Sequence, residues 1–134
     1  MATIIKEVDI DRTVDEVWDA VQDFMAVHER LAPGFLTDSR AENDDIRVVT
    51  FANGAVAREA LVGIDKTAKR LCYTVLESPL GFSNHNASVQ VFDAGNARSR
   101  FVWITDVLPH DVAPRVDELM TQGIATIERN LNGC

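Results

Sequence analysis

Residues 84–92, NHNASVQVF, show the two-residue period on which the prediction of the fold rests. Polar residues occupy every second position: Asn84, Asn86, Ser88 and Gln90. Because neighbouring side chains of a strand point to opposite faces, this pattern predicts a strand with one face in solvent and one face buried. His85 and Ala87 fall on the buried face. A histidine on that face needs a hydrogen-bond partner inside the protein.

Similar alternation extends on both sides of this strand, from Phe35 to Val107. Turn sequences interrupt it at short intervals: AENDD (41–45), NG (53–54), DKTAK (65–69), SPLG (78–81) and DAGN (93–96). Six strands of an antiparallel meander are therefore predicted, the first four near residues 35–41, 46–52, 55–64 and 70–77. The NG pair is typical of a hairpin with a two-residue loop.

The N-terminal part of the chain predicts one strand and then a helix. Residues 3–10 alternate weakly, as expected for a strand. In the following stretch, TVDEVWDAVQDF (13–24), Thr13 and Glu16 have the spacing of a capping box. Apolar residues recur there at i, i+3, i+4 and i+7: Val14, Val17, Trp18 and Val21.

Two further helices are predicted, one short and one long. FMAVHER (24–30) is a short helical stretch that ends near Pro33. At the other end of the chain, residues 110–134 combine Asp111 as a possible cap with Pro114 in a first turn. A stripe of apolar and small residues follows over about 20 residues: Val112, Val116, Leu119, Gly123, Ile127 and Leu131.

Composition excludes several classes of partner. Lys and Arg number 13 against 21 Asp and Glu, a formal charge of −8, which would repel nucleic acid and anionic membrane surfaces. The N-terminus has no signal-peptide pattern, and no apolar run is long enough to cross a bilayer. We therefore expect a cytoplasmic protein with no nucleic-acid partner and no integral membrane association.

Motifs for metals and cofactors are absent from the sequence. Cys72 and Cys134 form no C-x-x-C pair, which fits a reducing compartment better than a disulfide framework. His28 and His110 are far from His85 in sequence, and no metal-binding cluster of Cys and His occurs. No phosphate loop, dinucleotide fingerprint or G-x-S-x-G elbow occurs either. We expect no metal and no cofactor.

The order of elements predicts a single α+β domain over residues 1–134. Two short helices lie between strands 1 and 2, and about seven antiparallel strands curve around a long C-terminal helix. This order resembles the helix-grip fold of the START-like, birch-pollen-allergen superfamily, also called the SRPBCC or polyketide cyclase/dehydrase and lipid transport group. Four stretches carry the resemblance: DRTVDEVWDAVQDF (11–24), GAVAREALVGIDKTAKRLCYTV (54–75), NHNASVQVF (84–92) and RSRFVWITDVLP (98–109).

The resemblance implies a hollow between sheet and helix that holds lipids, sterols, polyketides or plant hormones. Periodicity does not orient the strand of Glu59, but REALVGID (58–65) is similar to a strand of plant abscisic-acid receptors whose glutamate faces the pocket. Trp103 is expected at the cavity because an exposed indole would need covering, and Gly123 would mark a close helix–sheet approach or space for a ligand. The predicted ligand-binding set is Glu59, Leu61, Tyr73, His85, Ala87, Trp103 and Gly123.

Three functions remain open at this stage. The first is binding of a hydrophobic or amphipathic small molecule, such as a lipid or a polyketide-like compound, in the cavity. The second is a polyketide cyclase, aromatase or dehydratase that uses His85 and Glu59 as an acid–base pair. The third is a protein-interaction domain like the chaperone activators of the same superfamily, and a homodimer is also possible. The sequence does not decide whether the protein is an enzyme.

Overall fold

The computed structural model describes residues 2–133, which form a seven-stranded antiparallel sheet and three α-helices. The strands are β1 (Ala2–Ile10), β2 (Leu36–Ala41), β3 (Ile46–Phe51), β4 (Val56–Asp65), β5 (Arg70–Glu77), β6 (Asn84–Gly95) and β7 (Arg98–Leu108). The helices are α1 (Val14–Gln22), α2 (Val27–Arg30) and α3 (Ala113–Asn132). The predicted α+β class and order of elements are confirmed.

The sheet is a meander of β2 to β7, to which the first strand is added at the β7 edge. Its strand order is β1-β7-β6-β5-β4-β3-β2, so the chain crosses from one edge to the other through α1 and α2 and then returns strand by strand. The curved sheet packs against α3, which contacts β1 and reaches Trp103 of β7. No helix within residues 2–133 is long and apolar enough to cross a membrane.

Burial follows the alternation seen in the sequence. In β6 the side chains of His85, Ala87, Val89 and Val91 are buried, and the residues between them are more exposed. In β5, Leu71 and Tyr73 are buried while Cys72 is half-buried. Cys134 lies outside the described residues.

Local capping explains where α1 begins. Thr13 accepts a hydrogen bond from the backbone N–H of Glu16 at 3.2 Å, and the Glu16 carboxylate accepts one from the backbone N–H of Thr13 at 3.2 Å. This reciprocal pair is the predicted capping box. The apolar stripe of α1 faces the core, where Val17 is fully buried and Trp18 is nearly so.

The start of α3 differs from the prediction. A 3-10 turn over His110–Val112 runs directly into the helix, so Val112 occupies the N-cap position and Asp111 makes no capping hydrogen bond. Pro114 lies in the first turn, as predicted, where its missing N–H removes one of the donors that a cap would have to satisfy.

The β3–β4 hairpin also differs from the prediction of a two-residue NG loop. The backbone N–H of Phe51 donates to the Ala55 carbonyl at 2.8 Å, which leaves a loop of three residues, 52–54. Gly54 has φ +88° and lies at the end of a turn closed by its N–H to the Phe51 carbonyl. A loop one residue longer shifts the register by one, so that Arg47 lies opposite Glu59 instead of Ala60.

We expect Gly54→Ala to lower the free energy of unfolding by about 1–2 kcal/mol, because an L side chain is strained at positive φ. Urea denaturation followed by circular dichroism measures the change. Gly63→Ala is the control, because a methyl group at Gly63 would have no neighbouring atom within 4 Å and the residue has no positive φ. Equal stability of the two variants would contradict this account of the turn.

Candidate ligand-binding cavity

A cavity of about 520 Å³ lies between the sheet and α3. Apolar residues from all layers form most of its wall, including Val27, Phe35, Leu36, Phe51, Val75, Leu80, Phe82, Val116, Leu119, Met120 and Ile127. Apart from the half-buried Ser78, the polar residues divide into an exposed group at the mouth and a buried group inside. The exposed group is Asn53, Arg115, Glu118 and Gln122, and the buried group is Arg47, Glu59, Tyr73, His85 and Thr105.

Five of the seven residues predicted from the sequence line this cavity: Glu59, Tyr73, His85, Trp103 and Gly123. Leu61 and Ala87 do not. Leu61 packs against the apolar core, next to an irregularity in the β4–β5 register. Ala87 pairs with Tyr73 on one side and Thr105 on the other, and its methyl group is too short to reach past those larger side chains. Their expected position at the cavity wall is therefore corrected.

Arg47 is the buried charged residue of the cavity that the sequence reasoning missed. Arg47 is 6% exposed and Glu59 is 7% exposed. Arg47 Nε donates to Glu59 Oε1 at 2.8 Å, and Nη2 lies 2.7 Å from the same oxygen. Burial of either charge alone would be costly, and each charge offsets part of the cost of burying the other. Arg47 shares the inner face of β3 with Val49 and Phe51, and that alternation was the available signal.

The Arg47 guanidinium also joins the sheet to the segment between α1 and α2. Nη1 donates to the Phe24 carbonyl at 2.7 Å, and Cζ lies 3.8 Å from the centroid of the Phe24 ring. The centroid of the Tyr73 ring lies 5.2 Å from the same Cζ and 6.4 Å from the centroid of the Phe24 ring. An arginine suits this position because its planar group can stack on rings while its edges donate hydrogen bonds.

Tyr73 lies between the ion pair and the aromatic wall of β7. Its hydroxyl accepts a hydrogen bond from Trp103 Nε1 at 3.1 Å. Burial, and then the negative charge of Glu59, raise the pKa of Tyr73 well above its usual value. The phenol therefore stays neutral and keeps a proton that it can donate.

His85 is held by the backbone of the neighbouring strand. The β5–β6 ladder ends at the pair Tyr73 and Ala87, and beyond it the Val75 N–H donates to His85 Nδ1 at 3.1 Å. A nitrogen that accepts this bond carries no proton, so the neutral ring carries its proton on Nε2. Burial lowers the pKa of His85 to about 4. No hydrogen bond joins His85 to Glu59 among the described residues, although the sequence had suggested that pair.

Gly123 of α3 packs closely against the aromatic side chains of Trp103 and Phe35 at this cavity. A methyl group at this position would lie 3.0 Å from Trp103 Cζ3 and 3.1 Å from Phe35 Cε2. The absent side chain therefore makes room for the indole that holds Tyr73. Close packing thus accounts for this glycine.

The sheet curved around α3, with a partly polar cavity between them, defines a START-like protein with the helix-grip fold. A family model described as polyketide cyclase / dehydrase and lipid transport matches residues 1–132, so the chain belongs to that family. A sequence search against curated proteins found no match.

Solved structures with the same fold extend over nearly the whole chain. An uncharacterised protein from Bacillus thuringiensis has a TM-score of 0.86 at 14% identity, covering 97% of this chain and 98% of that one. A START superfamily protein from Mycobacterium smegmatis has a TM-score of 0.74 at 15% identity, covering 98% and 94%. Norcoclaurine synthase from Thalictrum flavum, solved with dopamine and hydroxybenzaldehyde, has a TM-score of 0.75 at 16% identity, covering 98% and 84%. Identities this low establish the fold alone.

We expect Arg47→Met to destabilise the protein by about 3–5 kcal/mol, because it leaves the buried Glu59 carboxylate without its partner. Urea denaturation at pH 7 measures the effect. Arg58→Met is the matched control, since Arg58 lies on the opposite, more exposed face of β4 and pairs there with Glu42 and Glu77. A similar loss in both variants would contradict a special role for the buried pair.

We expect His85 to make stability fall as the pH is lowered. Its pKa is about 4 in the folded protein and near 6.5 when unfolded, so the unfolded state binds the proton first. Above pH 6.5 the ring is neutral in both states and the free energy of unfolding is unaffected. Between pH 6.5 and pH 4 the free energy of unfolding falls by about 3 kcal/mol. Urea denaturation of the wild type and of His85→Gln across this pH range isolates the contribution of His85. Glutamine does not titrate, and its side-chain oxygen can still accept from the Val75 N–H. Identical pH dependence in both proteins would refute the assignment.

Proposed function

We propose that this protein binds a hydrophobic or amphipathic small molecule in the cavity between the sheet and α3. The observation that carries the proposal is a cavity of about 520 Å³ whose wall is mainly apolar and whose buried polar groups are few. Ligand sites of proteins commonly have this size and composition, with a small number of polar groups that fix the orientation of the ligand.

Side chains of this cavity are held in place without any ligand. Glu59 is fixed by Arg47, Tyr73 by Trp103 and His85 by the Val75 backbone. Groups that are already oriented lose little conformational entropy on binding, which favours affinity. The finer ligand class, a lipid or a polyketide-like compound, is part of this proposal, as are a cytoplasmic location and a possible homodimer.

Native mass spectrometry tests the proposal directly. The purified protein is incubated with a small-molecule extract of its source organism and then measured under non-denaturing conditions. A defined adduct that survives desalting, and that an apolar naphthylamine dye displaces, supports the proposal. Absence of both the adduct and dye binding would refute it.

We expect Ala57→Phe to abolish most dye binding, because Ala57 is buried at the cavity wall and a phenyl ring there would occupy the ligand space. Ala60→Phe is the matched control on the same strand, since Ala60 does not line the cavity. Fluorescence titration gives both affinities, and circular dichroism verifies the fold. Equal binding by the two variants would place the dye elsewhere.

A second candidate is catalysis on an enolisable carbonyl compound, as the polyketide cyclase / dehydrase description of the family suggests. Glu59 is bonded to Arg47 and His85 to the Val75 backbone, so these two residues do not form an acid–base pair. Tyr73 and His85 would instead polarise the substrate carbonyl as neutral hydrogen-bond donors. Turnover of a model poly-β-ketone, lost in Tyr73→Phe, would support this candidate. Unchanged turnover in that variant would remove Tyr73 from the mechanism.

A further inference from the structure

Three polar atoms at the buried end of the cavity retain unused hydrogen-bonding capacity. The first is Glu59 Oε2. Both close contacts from Arg47 converge on Oε1, and no described residue donates to Oε2. Among residues 2–133, the buried side-chain polar atoms without a partner are on His28, Ser39 and Ser99 only. Oε2 is therefore accessible, and because Glu59 lines the cavity it is an acceptor offered to a ligand.

The other two atoms are donors. His85 carries its proton on Nε2, since Nδ1 accepts from Val75, and no described residue accepts from Nε2. Tyr73 uses its oxygen to accept from Trp103, which leaves its proton free. The rings of Tyr73 and His85 are 5.9 Å apart between centroids, so both donors serve the same part of the cavity.

The charged residues at the cavity cancel one another. Arg47 and Glu59 form the buried pair, and Arg115 and Glu118 lie three positions apart on α3 at the mouth. A carboxylate that entered the buried end would meet Glu59, whose arginine is already engaged, and would lose its hydration without gaining a free cation. A neutral polar group loses much less hydration free energy when it enters the cavity.

We propose that the cavity selects a neutral ligand whose polar end carries a carbonyl oxygen and a nearby hydroxyl, and that it discriminates against a carboxylate of the same size. The carbonyl accepts from His85 Nε2–H and Tyr73 O–H, and the hydroxyl donates to Glu59 Oε2. This inference rests on the proposed function, because it assigns the ligand class of the same cavity. A site with oriented donors and acceptors rejects ligands that leave them unpaired.

Three probes with the same unbranched thirteen-carbon chain test the proposal: a methyl ketone, its β-hydroxy derivative and the carboxylate. Each displaces N-phenyl-1-naphthylamine from the wild-type protein at pH 7.5. We expect the β-hydroxy ketone to bind about threefold to tenfold more tightly than the ketone, and at least about tenfold more tightly than the carboxylate. Equal affinities, or a preference for the carboxylate, overturn the proposal.

Glu59→Gln provides the second test, because it removes the carboxylate while leaving the Arg47 charge in the cavity. We expect the ratio of carboxylate to β-hydroxy ketone affinity to rise at least about tenfold in this variant. Glu42→Gln is the matched control, since Glu42 pairs with Arg58 and does not line the cavity. A ratio unchanged in a folded Glu59→Gln protein overturns the proposal.

The wild-type ranking decides the proposal by itself if Glu59→Gln does not fold. Failure of the selectivity is also distinct from failure of the proposed function. Dye binding without discrimination among the three probes leaves a binding cavity and refutes only the selectivity. Absence of dye and probe binding refutes both.

Discussion

The buried ion pair of Arg47 and Glu59 is the interaction on which the rest of the cavity depends. The pair requires two adjacent strands to place opposite charges next to each other on the inner face of the sheet. The register of the β3–β4 hairpin places Arg47 directly opposite Glu59. Arg47 then also bonds to the Phe24 carbonyl, so the segment between α1 and α2 is tied to the sheet through one guanidinium. A single side chain thus neutralises a buried acid and connects two layers of the fold.

A second contact sets how far the helix stands from the sheet. Gly123 lets α3 approach the Trp103 ring, which in turn holds the hydroxyl of Tyr73. Helix and sheet meet closely at this point and enclose a cavity beside it. The cavity therefore results from one close helix–sheet contact and from lining side chains that are held by hydrogen bonds. General looseness of packing is not needed to explain it.

Much of this architecture could be predicted from the sequence, since element order depends on local patterns. The capping box of Thr13 and the alternation around His85 indicate their structures directly. The glycine of α3 fitted either close packing or space for a ligand, and the structure shows close packing. The β3–β4 register was not predictable in the same way, because an NG pair fits both a two-residue loop and a longer loop that ends in a left-handed glycine. The pairing of Arg47 with Glu59 follows from that register.

The hydrogen-bond partners of the site residues were beyond sequence reasoning for a related reason. His85 and Glu59 were each expected inside, but an inner face does not specify which neighbour a side chain meets. The end of the β5–β6 ladder gives His85 a backbone donor, and the opposite strand gives Glu59 an arginine. Pairings of this kind arise from tertiary geometry, which no single strand encodes.

The break in the β5–β6 ladder has a consequence for how this cavity can diversify. The Nδ1 atom of His85 takes the place of a backbone carbonyl as the acceptor for the Val75 N–H, and Nε2 on the other side of the ring offers a donor to the cavity. Few side chains can perform both tasks, because an amide or a hydroxyl presents its donor and its acceptor at the same end. Ligand recognition and strand pairing thus both depend on the imidazole of His85. New ligand preferences would evolve more readily at Met120 or Leu119, which line the cavity from α3 and support no strand pairing.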